Sequence, residues 1–193
     1  MPRKRYQLGD LKEFFVAFRK ESDRACAVLG RALLEDHVRR LLVAALVPAT
    51  NLRDLFEGQA PLATFSSRIR LAEALGLLAH DEATDLNIIR DIGNDFAHGL
   101  DHSMSFDEQS IRERVLALQS PRILLDYGHL TEPKLPSDEV EEFQKNPRRR
   151  FEISVGTLWS TLSRRTEATK PATSIKSLLT LLKEQTELDG PSA

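Results

Sequence analysis

One long stretch of apolar residues at helical spacing, ending at a proline, most limits how this chain can fold. Between Ala25 and Leu46, apolar side chains recur every three or four residues, the spacing of one face of an α-helix. Ser22 stands where an N-cap is expected, and Pro48 prevents the helix from continuing. A helix of this length reaches about 30 Å, the width of a small domain. Other elements must therefore pack along it to cover its apolar face.

The same spacing predicts helices through most of the remaining chain. They are expected at about 65–79, 81–97, 105–118 and 151–162, with terminal helices that open at Asp10 and Ser174. No segment alternates apolar and polar residues as a half-buried strand would. The sequence therefore predicts an all-α, single-domain helical bundle with a C-terminal helical extension.

A polar, proline-bearing stretch divides this bundle into parts. We expect a helical domain over residues 1–130 and a polar surface loop over 131–150. Residues 151–193 are expected to form C-terminal helices that are either packed on the bundle or appended to it.

Charge and cysteine content restrict the class of protein. The 193 residues carry a formal net charge of −2, which does not suit a protein bound to phosphate backbones. Cys26 is the only cysteine, so no internal disulfide can form and a reducing compartment is expected. No apolar run is long enough for a membrane span. We expect a cytoplasmic protein that contacts no membrane. No glycine-rich phosphate loop or paired-cysteine motif occurs, so no cofactor is expected.

The segment Ile88–Gly99, with the sequence IIRDIGNDFAHG, holds the candidate site. Asn94 and His98 lie four residues apart and share one face of a helix, with Arg90 one turn upstream. Gly99 is expected to end the helix in the left-handed conformation that glycine enters easily. In one interpretation, Asn94 and His98 clamp the incoming loop and the last helical carbonyls. In the other, they bind a ligand or act in catalysis.

A metal site is the third interpretation of this corner. His98 and His102, with Asp95 and Asp101, offer suitable ligands, and histidines at i and i+4 suit a metal on a continuous helix. Gly99 is expected to break that helix, and no glutamate stands in a general-base position. The sequence therefore predicts no metal.

Three segments resemble the mannitol operon repressor family of bacterial regulators. They are ESDRACAVLGRALLEDHVRRLL from Glu21, GQAPLATFSSRIRLAEALGLL from Gly58 and DLNIIRDIGNDFAHGL from Asp85, followed by SFDEQSIRERV from Ser105. The likeness covers residues 10–118. It implies a cytoplasmic, all-helical repressor of transcription that acts through protein contacts in a transcription complex, rather than by reading DNA directly. A homodimer is also expected, because related helical domains pair.

These family-like segments concentrate six polar residues on three of the expected helices. The six are Glu21, Arg24, Ser66, Arg68, Asn94 and His98. We expect them to form one polar network that joins the three helices, with a role in structure or in binding.

The segment that ends at His98 also resembles the helical HEPN domains. Ribonucleases of that group carry an arginine four to six residues before a histidine near a helix end. His98 matches the histidine and Asn94 matches the asparagine that usually follows the arginine, but positions 91–93 hold no basic residue and Arg90 is one residue too far. Because that arginine would stabilise charge on the scissile phosphate, we expect no enzyme. The alternative is a HEPN-like RNA-binding protein or ribonuclease that uses His98 as general acid/base, Asn94 to orient it and Arg90 as the nearest cation.

The charge of the sequence also argues against direct DNA binding. The best helix-turn-helix candidate would place residues 81–97 in the major groove, and these hold five carboxylates against the single Arg90. Phosphate charge would repel such a helix, so direct DNA binding is not expected. Arg148, Arg149 and Arg150 are a minor candidate for contact with nucleic acid or with an acidic partner.

Overall fold

Five α-helices make up most of the described part of the protein. The computed structural model describes residues 15–47, 52–100, 103–120 and 145–172. The elements are α1 (Asp23–Ala45), a short 3-10 helix (Leu52–Leu55), α2 (Phe65–Ala74), α3 (His80–His98), α4 (Gln109–Ala117) and α5 (Pro147–Ala168). No residue in those ranges is in a β-strand, which confirms the predicted all-α bundle. The start of the helix expected at Asp10, the whole of that expected at Ser174 and most of the loop at 131–150 lie outside the described residues.

α1 is the helix along which the others pack, as its apolar repeat predicts. Ser22 caps it by accepting a hydrogen bond from the Ala25 N–H at 3.2 Å. α1 packs against α3 and α5, and its Leu34, Val38 and Leu41 are fully buried. Burial of each such side chain contributes roughly 1.5–3 kcal/mol. The apolar face of α1 therefore supplies much of the core.

Two glycines bring α1 close to its neighbours. A Cβ on Gly30 would lie 3.0 Å from Cγ2 of Val155 on α5. A Cβ on Gly93 of α3 would lie 2.6 Å from the Cβ of Arg31 on α1. Close-packed interiors leave no room for such an approach, so the missing side chain at Gly93 sets the separation of α1 and α3.

α2 ends earlier than the sequence predicts. The helix expected to reach Ala79 ends at Ala74, and Gly76 follows in the left-handed region with φ of 68°. The Leu77 N–H then donates to the Ala72 carbonyl at 2.8 Å and satisfies one of the last helical carbonyls. The predicted helix was too long because apolar residues continue the helical spacing beyond Ala74. Gly76 was the residue in the sequence that indicated the end of the helix.

α5 begins inside the segment expected to be a loop. Asn146 caps the helix by accepting a hydrogen bond from the Arg149 N–H at 3.0 Å, and Pro147 occupies the first helical turn. Arg148, Arg149 and Arg150 therefore lie on a helix, and the expected loop over 131–150 is wrong at its carboxyl end.

α5 also forms part of the hydrophobic core. It packs against α1 and α4, and the apolar stripe predicted for it is buried: Phe151, Val155, Leu158 and Leu162. Trp159 donates from Nε1 to Nε2 of His37 on α1 at 2.7 Å. Of the two arrangements expected for this helix, the observed one is packing on the bundle. In the ranges described, no helix is both long and apolar enough to span a bilayer.

Candidate functional site

An open cleft of about 310 Å³ lies where the carboxyl end of α3 meets the amino end of α4. Nine residues line it: Asn94, Asp95, His98, Gly99, Met104, Glu108, Ser110, Ile111 and Arg114. Both members of the polar pair predicted from the sequence, Asn94 and His98, are among them. This cleft is therefore the candidate functional site.

A row of buried aromatic rings supports the elements that carry the cleft. The ring centroids of Phe96 and Phe106 are 5.2 Å apart, and those of Phe106 and Phe151 are 4.9 Å apart. Asp23, at the start of α1, accepts a hydrogen bond from the Phe106 N–H at 3.0 Å. Because three helices and a connection meet on these rings, the backbone that carries the lining residues is held by the core.

Gly99 ends α3, but not in the conformation expected from the sequence. Its φ is −62° and its ψ is 129°, and only Gly58 and Gly76 among the described residues have positive φ. Glycine is needed here for its size. A Cβ at this position would lie 2.8 Å from both the Asp95 carbonyl oxygen and Cε of Met104. The absent side chain thus admits Met104 to the wall of the cleft.

Arg24 of α1 holds the end of α3. Its Nη1 donates to the Phe96 carbonyl at 2.6 Å, and its Nη2 donates to the Gly99 carbonyl at 2.9 Å. A guanidinium in this position satisfies carbonyls that have no partner inside the helix and complements the negative end of the helix dipole. Arg24 therefore performs the structural task that one interpretation of the sequence gave to Asn94 and His98.

Asn94 and His98 themselves form no such clamp. Asn94 is half-buried and His98 is exposed, and neither side chain makes a hydrogen bond to any residue that the structure describes. Both line the cleft. Their polar atoms are therefore available to a ligand there.

The guanidinium in this cleft is that of Arg114, which sequence reasoning missed. Arg114 donates from Nε to the Ser110 carbonyl at 3.1 Å and from Nη2 to Oδ2 of Asp95 at 2.6 Å. Arg90, the cation considered from the sequence, does not line the cleft and pairs with Asp91 at 2.7 Å. No local spacing signals Arg114, because its approach to α3 depends on how α3 and α4 cross.

Arg68 lies at a different corner of the bundle from Arg24. It is buried, donates from Nε to the Leu62 carbonyl at 2.7 Å and from Nη2 to the Phe56 carbonyl at 3.2 Å, and pairs with Glu35 at 3.2 Å. It therefore fastens the connection before α2 to α1. Arg24 and Arg68 therefore make two separate clamps, and the structure does not join the six predicted residues in one polar network.

The remaining members of that network take no part in either clamp. Ser66 is half-buried, and its side chain makes no hydrogen bond to the described residues. Glu21 is exposed, and its backbone carbonyl accepts a hydrogen bond from Nη2 of Arg148. Neither residue lines the cleft.

The three arginines considered for nucleic acid are engaged inside the protein. Arg148 pairs with Asp23 at 2.7 Å, and Arg149 pairs with Glu152 at 3.2 Å. Arg150 is buried and donates to three carbonyls at the end of α4, those of Val115 at 3.0 Å, Leu116 at 3.2 Å and Leu118 at 2.7 Å. The three guanidinium groups are thus engaged mainly in ion pairs and hydrogen bonds within the protein, several of which join α5 to α1 and α4.

The remaining candidates from the sequence are a group of metal ligands near His98 and the thiol of Cys26. Within the ranges that the structure covers, no three His, Cys, Asp or Glu side chains are grouped to hold a metal ion. His102 and Asp101, the other members of the metal site weighed from the sequence, lie outside those ranges. Cys26 is buried, and desolvation raises the pKa of its thiol, which keeps it protonated and unreactive.

Comparison with known proteins identifies a fold and no sequence family. No model of a known family matches the chain, and no curated protein sequence matches it. Among solved structures, it is similar to the X-ray structure of the MtlR-HPr complex from Escherichia coli, with a TM-score of 0.60 and 17% sequence identity. The match covers 79% of this chain and 97% of that chain. The chain has the MtlR fold. At this identity the likeness concerns architecture alone.

Proposed function

We propose that this protein is a regulator of the mannitol-repressor type and that it acts by binding a protein partner. The observation that carries the proposal is the fold shared with MtlR, a protein solved in complex with another protein, HPr.

Charge favours a protein partner over DNA. α3 carries five carboxylates and one arginine, so phosphate backbones repel its surface. The arginines at 148–150 pair with acids or with backbone carbonyls and offer no free basic stripe. In this proposal the protein works in the cytoplasm as a homodimer and represses transcription by contacting a component of a transcription complex.

The direct test is titration of the purified chain with HPr from the same organism by calorimetry. We expect saturable binding with one HPr per protomer and micromolar affinity or tighter, equivalent to about −8 kcal/mol. A duplex carrying a candidate promoter, tested by gel shift at physiological salt, should show no retarded band. Retardation of the duplex, with no heat from HPr, would contradict the proposal.

An RNA-directed activity is the second candidate, because Arg114 places a guanidinium in the same cleft as His98. An imidazole can transfer protons and a guanidinium can stabilise charge on the phosphate, and the two together can support phosphodiester cleavage. The test is incubation of the protein with single-stranded and structured RNA, repeated with His98→Ala. Cleavage that the variant loses while its circular dichroism is unchanged would establish this activity. Equal cleavage by both proteins would mark a contaminant and remove the candidate.

A further inference from the structure

One side of α1 is left accessible by the other described helices. α1 packs against α2, α3 and α5 through a buried side that includes Leu34, Val38 and Leu41. On the far side of the helix, Leu29 is 41% exposed and Val43 is 39% exposed. Single exposed apolar side chains are common on monomers, whereas a continuous apolar stripe marks an interface.

These two residues belong to one such stripe. At intervals of four, three, four and three residues follow Leu29, Leu33, Asp36, Arg40 and Val43. That alternation presents one edge of a helix to a second helix. Leu33 is half-buried at the edge of the core, and Asp36 and Arg40 are 29% and 28% exposed and form an ion pair at 2.7 Å. This stripe, which we call the α1 seam, therefore has an apolar part at each end and two opposite charges in the middle.

We propose that the α1 seam binds the α1 seam of a second copy of this chain, with the two helices antiparallel about a two-fold axis at the level of Val38. Residues equally far before and after that level then face each other. Asp36 faces Arg40 of the second copy, and Leu33 faces Val43 of the second copy, and symmetry repeats each contact. This inference rests on the homodimer of the proposed function and assigns its interface.

The order of charges along the seam favours a second copy in this one orientation. If two copies paired in parallel, Asp36 would lie beside the Asp36 of the other copy and Arg40 beside the other Arg40, and like charges repel. The antiparallel arrangement places each acid beside a base and each apolar end beside an apolar end. A surface that is complementary to itself is what a two-fold interface requires, whereas an unrelated protein would not need this symmetry.

The first test measures the mass of the full chain in solution by light scattering after size exclusion. At about 50 μM protein we expect twice the mass of one chain, as a dissociation constant in the micromolar range requires. Val43→Glu should weaken the dimer at least about 10-fold, because a charge is placed against an apolar side chain. Leu116→Glu is the matched control, because Leu116 lies on α4 and is also 39% exposed, and it should leave the dimer unchanged.

The outcomes separate this interface from the rest of the proposed function. A dimer that Val43→Glu leaves intact would keep the homodimer and overturn the α1 seam as its interface. A monomer at every concentration would overturn both the homodimer and the interface. The calorimetric titration with HPr decides partner binding in either case, because it does not depend on the seam.

A pair of charge variants gives the sharper test. Asp36→Arg leaves two cations on the seam, and Arg40→Asp leaves two acids. Each variant should be a monomer by itself, because like charges then meet across the axis. Mixed in equal amounts, the two variants should form a heterodimer, because every cation of one copy then meets an acid of the other. Mixing cannot restore an unfolded protein, so this gain excludes a damaged fold. Variants that dimerise alone, or that stay monomeric when mixed, would overturn the proposal.

Discussion

At the residue scale, the buried pair of His37 and Trp159 links ionisation to stability. Trp159 donates to Nε2 of His37 at 2.7 Å, which leaves the imidazole proton on Nδ1, 2.9 Å from the Leu33 carbonyl that accepts it. His37 is therefore neutral in the folded protein. Burial lowers its pKa from the ordinary 6.5, and the nearby charge of Arg40 acts in the same direction.

This pair predicts a loss of stability in acid. The unfolded chain takes up a proton at His37 as the pH falls below 6.5, whereas the folded chain resists that proton. The free energy of unfolding should therefore be at its full value above pH 6.5 and fall as the pH drops below it. Urea unfolding at about pH 8 and about pH 5.5 measures the change.

His37→Gln should be less stable than the unmodified protein at the higher pH. Its free energy of unfolding should fall less on acidification, because the titrating group has been removed. His80→Gln, at a site where the side chain is 91% exposed, is the control and should follow the unmodified protein. Equal acid sensitivity in the His37 variant would show that other groups cause the effect.

Gly93 and Gly156 give opposite predictions for the same substitution. A Cβ at Gly93 meets Arg31 at 2.6 Å, so Gly93→Ala should push α1 and α3 apart and cost about 1–3 kcal/mol. A Cβ at Gly156 lies 3.6 Å from the ring of Phe15, an ordinary contact, so Gly156→Ala should gain up to about 1 kcal/mol of helix propensity. Chemical denaturation distinguishes the two. Equal effects would mean that the close approach at Gly93 is not rigid.

At the element scale, three buried or half-buried arginines complete the ends of helices from neighbouring elements. Arg24 satisfies carbonyls at the end of α3, and Arg150 does the same for α4. Arg165 of α5 donates two hydrogen bonds to Glu82 in the first turn of α3, at 2.6 and 2.9 Å. Each contact joins the end of one helix to another helix, so the ends are stabilised by tertiary structure.

Arg150 gives the prediction at this scale. Its fork reaches the carbonyls of Val115, Leu116 and Leu118, a geometry that an ammonium group cannot reproduce. Arg150→Lys should therefore cost about 2 kcal/mol or more of unfolding free energy, because buried carbonyls are left without donors. Arg149→Lys, at the neighbouring position, should cost under about 1 kcal/mol, because its pair with Glu152 lies at the edge of the core. Equal costs would contradict a capping role for Arg150.

At the scale of the whole molecule, α5 packs into the same hydrophobic core as the other described helices. It contributes Phe151, Val155 and Leu158 to a core shared with α1, and Trp159 lies against His37 with ring centroids 5.8 Å apart. Because α5 follows a long segment outside the described residues, this packing joins parts of the chain that are distant in sequence.

We therefore predict coincident unfolding transitions. Trp159 is the only tryptophan, so its fluorescence reports the contact of α5 with α1, while circular dichroism at 222 nm reports all the helices. Both signals should show one transition with the same denaturant midpoint. A fluorescence midpoint at clearly lower denaturant would show that α5 detaches first and that the C-terminal region is a separate unit.

The sequence alone allowed prediction of the features that depend on local spacing. The all-α class, the extent of α1 and the buried stripe of α5 follow from apolar periodicity, which a helix imposes over a few turns. The placement of Asn94 and His98 on one face of α3 follows from the same geometry. The predicted helix boundaries were wrong at two places. α2 ends before Gly76, and α5 begins after its N-cap, Asn146.

Only the tertiary structure decided how these helices use their polar residues. The approach of Arg114 to Asp95, the capping of α3 by Arg24 and the need for a side-chain-free position at Gly99 all depend on crossings between helices. Those crossings arise from the packing of side chains far apart in sequence, with Gly93 setting one separation and the aromatic row another. Local spacing carries no information on such distances. The sequence therefore located the end of α3 as the candidate site, and only the packing of the helices placed Arg114 there.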